Sequence, residues 1–393
     1  MKNINLILHL KLIIINKSKM KRILLTIFCA FIQYSWAQIY EENIRSQKLK
    51  EERKVTVVLP EKYDKKQKYP LLVVLNADRL LEPTVSSMRY FSAIGEMPAC
   101  IVVGIYNEEE DVIIPKETGV PFNNSANFFE FVGQEVVPHI QNKYSVNNFK
   151  GIIADDEAGN FINYYLLKEK SLFNAYLSLN PDVREHIIEP LANQLETFEV
   201  PIFYYLAWTD NEDLTKVKEI KSLNKAIRSK ELKSSYYFSG DFPQVSPKAV
   251  APGGIPEGLN LIFEEYRPIT MREYAEKIMK IQENTTQYLE DKYKNIKNLY
   301  GIEKTPLLGD IKAIYNVIIR NGDLESLPIL ADFIRKYYKD TSLPDFLEGD
   351  YYDRIKLSKK AFKSYQKAYM LKDIDFVTKD LISERIEKIK SGK

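Results

Sequence analysis

Gly151-Ile152-Ile153-Ala154-Asp155-Asp156-Glu157-Ala158-Gly159-Asn160-Phe161 is the stretch whose reading decides the fold. Asn148 to Ala154 is a short apolar run of the kind that forms a buried strand, and Phe161 to Leu167 reads as the helix that follows. Between them, two aspartates occupy a turn flanked by the small residues Ala154, Ala158 and Gly159. Small residues on both sides of such a turn let a helix pack closely on the strand that precedes it. Before this stretch, Lys54 to Leu59, Tyr69 to Leu75 and Cys100 to Tyr106 read as strands; after it come Ala175 to Leu179, Val200 to Leu206 and Ser235 to Ser239. Ala126 to Tyr144 is an amphipathic helix, because Phe128, Phe131, Val132, Val136 and Ile140 recur at nearly 3.6 residues. Continuous apolar strands separated by helices predict a doubly wound, mostly parallel sheet covered on both faces.

That alternation stops near Tyr266-Arg267-Pro268. Ile311 to Arg320, Leu324 to Tyr338, Lys359 to Leu371 and Val377 to Lys390 are helical by period, and no strand pattern accompanies them. Gly349, Tyr352, Ala361, Tyr365 and Ala368 fall at the small and aromatic positions of a tetratricopeptide-like helix pair. The expected layout is a signal peptide over 1–37, an α/β domain over 38–267 and a small all-α, tetratricopeptide-like domain over 268–393.

The leader rests on the basic start Met20-Lys21-Arg22, the apolar run Ile23 to Ile32, and Ser35-Trp36-Ala37 at a cleavage site before Gln38. Met20 opens a complete signal by itself. The apolar run falls short of the ~20 residues needed to span a bilayer, so an exported, periplasmic or secreted protein with no integral membrane span is expected. Bulky Phe28 before Cys29 argues against a lipid anchor there. Cleavage leaves only Cys100, whose neighbours Ala99, Ile101, Val102 and Val103 mark it as a packing residue. Over 393 residues, 56 Lys+Arg balance 54 Asp+Glu; without a basic block, nucleic acid is excluded as a partner.

Beyond this pattern, the chain resembles the enterochelin-esterase-like (siderophore-esterase-like) family of α/β-hydrolases, in which a Gly-His-Ser-x-small-small segment carries the nucleophile. The resemblance spans most of residues 48–267. Val55 to Pro60 matches the opening strand, Leu72 to Asp78 a strand and loop, Met97 to Ile105 the next strand, and Phe173 to Pro181 the strand after the elbow helix. It implies an α/β-hydrolase fold and an ester hydrolase's Ser–His–acid triad. The triad positions depart from the family. Ungapped alignment places Asp156 where the serine belongs and Asp155 where its histidine neighbour belongs. Pro247, or Phe242, stands at the base position. Asp210, with Glu212 second, stands at the acid position, where Asp210 also suits capping of the helix from Leu214. The resemblance puts the oxyanion hole at the backbone N–H of Glu157 and one near Asp78; Asp156 is expected to bond those N–H groups or to cap the next helix.

Three histidines remain, His9, His139 and His186, and only His186 is a candidate displaced base. No metal-ligand spacing or cofactor motif is present, and Glu108-Glu109-Glu110-Asp111 reads as a solvated loop. The chain is therefore expected to be a non-catalytic binding or scaffold protein with a degenerate triad. The former pocket is the place for a small-molecule ligand, and the C-terminal helices for a protein partner. Two rival readings stay open: an ester hydrolase using Asp156, and a periplasmic protein that binds a siderophore-like ligand without cleaving it.

Overall fold

A computed structural model describes residues 38–115 and 117–391. The proposed leader, with Met20, Cys29 and His9, lies outside the described residues. Eight strands form one sheet: β1 (Ile39–Arg45), β2 (Glu52–Val58), β3 (Tyr69–Val74), β4 (Ile101–Ile105), β5 (Val146–Asp155), β6 (Ala175–Leu179), β7 (Ile202–Trp208) and β8 (Ser235–Asp241). Their spatial order is β1-β2-β4-β3-β5-β6-β7-β8. The pairs β1/β2 and β2/β4 are antiparallel and every later pair is parallel. The run of fully buried residues in β3, β4, β6 and β7 is the sequence form of a strand covered on both sides.

The helices before Pro268 are α1 (Ala77–Ala93), α2 (Asn124–Glu130), α3 (Val137–Lys143), α4 (Asp156–Phe161), α5 (Asn163–Leu166), α6 (Glu185–Thr197), α7 (Leu214–Arg228) and α8 (Val250–Ile262). A π-helical segment, Phe131–Val136, joins α2 to α3 into one continuous rod. One face of the sheet is sealed by that rod and by α4 to α7, through Phe128, Phe131, Phe161, Leu191 and Ile220. The other face receives α1 and α8, through Leu80, Leu81, Ile255 and Leu259.

The sequence reading assigned no element to Ala77–Ala93 (α1) or Val250–Ile262 (α8). Both are helices; in α8, Pro252 sits in the first turn, where its missing N–H is an orphan in any case. In α8, Gly258 lets the helix approach the sheet: a Cβ there would lie 2.6 Å from Tyr205. The strand β1 was also missed, since its buried positions alternate only at Glu42 and Ile44.

Beyond Pro268 the chain is helical: α9 (Met271–Glu276), α10 (Thr285–Tyr300), α11 (Leu308–Asn321), α12 (Ser326–Tyr338), α13 (Leu343–Arg354), α14 (Ser358–Met370) and α15 (Lys379–Lys390). Gly349 on α13 faces the ring of Tyr365 on α14 so closely that a Cβ would come within 2.6 Å of it. These helices share one apolar cluster with the sheet, running from Leu72 and Phe149 through Phe203 and Tyr300 to Ile382. Tyr300 is the joint: its ring stacks on Phe203 and its hydroxyl donates to the Ile262 carbonyl, 2.8 Å away. Among the described residues, no helix is long and apolar enough to cross a membrane.

Candidate functional site

Loops at the C-terminal ends of β3, β5, β6, β7 and β8 converge above the sheet, where open parallel sheets place their ligands. At the centre, β5 ends at Asp155 and the chain passes through Asp156 with φ +57° before entering α4. A left-handed non-glycine residue between a buried strand and a helix is the strained turn that presents a nucleophile in α/β-hydrolases. The residue presented here is an aspartate.

The two aspartates have opposite surroundings. Asp155 is buried. Its Oδ1 accepts from Asn76 Nδ2 at 2.6 Å and from Arg79 Nη2 at 2.9 Å, and its Oδ2 from Arg79 Nε at 3.0 Å. The bond to Asp155, opposed by burial, raises the Arg79 pKa further above its ordinary value. Asn76 is itself fixed by Asn107: Asn76 N–H donates to Asn107 Oδ1 at 2.7 Å, and Asn107 Nδ2 donates back to Asn76 Oδ1 at 2.9 Å. The loops after β3, β4 and β5 are thereby tied together.

The side chain of Asp156 is half-exposed, and its Oδ1 accepts from Lys216 Nζ at 2.6 Å. The sequence expectation that it would bond the N–H groups near Asp78 and Glu157, or cap the next helix, is not met. A largely desolvated ammonium attracts the carboxylate more strongly than neutral N–H donors do. Burial opposes the charge on Lys216, but the bond to Asp156 and that residue's attraction leave its pKa raised. Lys216 also lies 3.5 Å from Glu212, whose Oε2 accepts from Asn180 Nδ2 at 2.9 Å. Glu157, in the first turn of α4, has its carboxyl pKa raised by burial and by neighbouring Asp156. Asp78 is exposed in the first turn of α1. Neither Glu157 nor Asp78 lines the cleft that Asp156 borders.

That cleft, of about 450 Å³, is lined by Arg79, Asp156, Glu212, Lys216, Pro247 and Lys248, with Asp155 and Asn180 among its other walls. It unites the expected nucleophile and base positions, Asp156 and Pro247. The residue it receives from the loop after β7 is Glu212, whereas Asp210 turns to solvent and pairs with Lys221 at 2.7 Å. Nor does Asp210 cap the following helix; Asp213 does, accepting from the N–H groups of Thr215 and Lys216. Pro247 opens a short 3₁₀ turn on the rim.

His186 does not reach the cleft. Its Nε2 lies 2.6 Å from the Gly119 carbonyl, to which it donates, and 3.3 Å from the Tyr164 hydroxyl. His139 is on the far side of the fold, 2.7 Å from Glu42 on β1. The acidic run near Glu108 is tied down as well: Asp111 is buried and bonded twice to Arg53, at 2.8 and 3.1 Å. Among the described residues, no group of three or more His, Cys, Asp or Glu side chains is placed to hold a metal ion.

Arg79, Lys216 and Lys248 escaped the sequence reading. Basic residues near helix starts look like solvated side chains, and Lys216 lies 60 positions from its partner Asp156. The one local hint was the aspartate pair in an apolar setting, which needs cations from somewhere.

A parallel sheet of this order with a strained turn after its central strand is the framework of an α/β-hydrolase. A family model described as "Putative esterase" matches residues 46–181. An uncharacterised protein from Capnocytophaga ochracea has a solved structure 41% identical to this chain, with a TM-score of 0.86 over 90% of this chain and 100% of that one. An IroE-like serine hydrolase from Shewanella oneidensis is 18% identical, with a TM-score of 0.56 over 77% of this chain and all of its own. The BES protein from Bacillus cereus is 16% identical, with a TM-score of 0.51 over 57% and 96%. The last two likenesses show the fold. No curated protein matches the sequence. Residues 46–181 carry the match to the esterase family, and the chain has an α/β-hydrolase fold.

Proposed function

We propose that this esterase homologue does not hydrolyse esters, and that its cleft serves binding. The observation that carries the reading is the Asp156–Lys216 pair at the elbow, with no histidine on the cleft among the described residues. A carboxylate nucleophile needs a base to activate the water that releases its acyl intermediate, and a charged Lys216 has no lone pair to accept that proton. Asp156 also keeps a negative charge at the elbow, beside the place where an oxyanion would develop. Loss of the triad leaves at most ~10³–10⁴-fold over water from residual contacts, against the ~10⁶-fold or more of working enzymes.

The test is hydrolysis of p-nitrophenyl and acyl esters by the purified protein beside Asp156→Ala and Asp156→Ser. All three are expected at background while remaining folded. Turnover by wild type that Asp156→Ala abolishes would refute the reading in favour of an Asp-dependent hydrolase. The proposal includes export, supported by the leader pattern from Met20 to Ala37; N-terminal sequencing of exported material is expected to begin at Gln38.

A further inference from the structure

The polar groups of the cleft balance unevenly. Asp155 is saturated by Asn76 and by two donors of Arg79. Glu212 is occupied on both oxygens, Oε2 by Asn180 and Oε1 by the Asp213 N–H. Asp156 uses only Oδ1, and Oδ2 accepts no hydrogen bond among the described residues. Asp156 and Glu212 share one cation, Lys216, so that wall carries one carboxylate more than it has ammonium groups. The donors show the reverse. Arg79 spends Nε and Nη2 on Asp155 and leaves Nη1 without an acceptor. Lys248 lines the same cleft and forms no ion pair with any described carboxylate.

A small cleft with one spare carboxylate oxygen and two spare cationic donors suits a ligand that carries both signs. We infer that the cleft above Asp156 binds a small zwitterion of the free α-amino acid type. Its ammonium meets Asp156 Oδ2 and its carboxylate meets Arg79 Nη1 and Lys248 Nζ. A volume of about 450 Å³ leaves space for a side chain beyond the two charged ends. A simple anion would leave Asp156 Oδ2 without a partner and a simple amine would sit beside Arg79 and Lys248, whereas a ligand of both signs meets each group with its opposite charge. This inference rests on the binding role proposed above and names the ligand class.

The experiment is titration calorimetry of the purified protein with free L-α-amino acids, with their N-acetyl forms, which lack the ammonium, and with their amides, which lack the carboxylate. At least one free amino acid is expected to bind, and its N-acetyl and amide forms to bind tenfold or more weakly, about the effect of losing one charge-assisted contact. Asp156→Asn, which keeps a residue tolerant of positive φ, and Lys248→Ala are each expected to weaken the free amino acid about tenfold. Circular dichroism of both variants verifies their folding. Equal binding of the N-acetyl form, binding indifferent to both substitutions, or no heat from any free amino acid at about 10 mM would overturn the inference. Ester hydrolysis is assayed on the same samples: turnover there sinks the non-catalytic reading, whereas failed binding without turnover sinks only this one.

Discussion

Replacing Tyr300 by alanine tests whether the C-terminal helices are a separate body or part of the core. The Tyr300 ring is fully buried. It lies 5.1 Å from Phe263, 5.5 Å from Phe149 and 5.9 Å from Phe203, centre to centre. Emptying such a site costs about 3–5 kcal/mol, because the surrounding elements cannot close on the void. The lost hydroxyl leaves the Ile262 carbonyl without its donor, worth about another 1 kcal/mol. Tyr300→Ala is therefore expected to lose about 4 kcal/mol or more, and Tyr300→Phe about 1. Urea unfolding is followed by Trp208 fluorescence, which reports on β7, and by far-UV circular dichroism, which is dominated by the helices. Both probes are expected to move together in a single transition, displaced by the full amount. Two separate transitions, with Trp208 shifted by less than about 1 kcal/mol, would refute a shared core.

Arg79→Met strips three polar contacts down to one at the buried Asp155 carboxylate and is expected to destabilise by about 2 kcal/mol, discounted because Arg79 is 40% exposed; thermal unfolding measures this. Gly349→Ala drives a methyl into the Tyr365 ring and is expected to cost about 1–3 kcal/mol in the same assay. Glu303 is held down to a pKa of about 2, from its usual 4.5, by bonds to Lys297 and Lys336. A lowered folded pKa means the stabilisation is complete above 4.5 and lost as pH falls towards 2. Because these groups are exposed, Glu303→Gln should cost less than about 1 kcal/mol at pH 7 and low salt, and nothing near pH 2 or in high salt, as unfolding across pH would show. Burial raises the Cys100 thiol pKa far above the ordinary range, so Cys100 should resist Ellman's reagent until the protein unfolds.

The parallel strands were legible because they are buried on both faces and read as apolar runs; β6 was placed at Ala175–Leu179 to the residue. The amphipathic rod before β5 was legible by its period, although the π segment inside it was not. What escaped were α1 and α8, where Pro83, Pro252 and Pro256 obscure the helical signal. At the site, Asp156 and Pro247, picked out by their aligned positions along the chain, both line the cleft. Of the two acids the reading offered, the first, Asp210, pairs with Lys221 away from the cleft and the second, Glu212, lines it, because direction at a loop tip depends on neighbours such as Asn180 that contribute from another strand. Lys216 was invisible for the same reason: its role exists only once the fold brings α7 to the elbow.

The backbone at Asp156 has an implication for how this turn is maintained. Holding a side chain in the left-handed region costs about 1–2 kcal/mol, a penalty that glycine does not carry. Were the turn only a connector, glycine would be the stabler occupant. An aspartate there signals a standing demand for its carboxylate, which Lys216 meets from inside the protein and a visiting cation would meet from outside. The elbow is thus a place where side-chain chemistry outranks stability, and under the proposed binding role the chemistry it presents is charge.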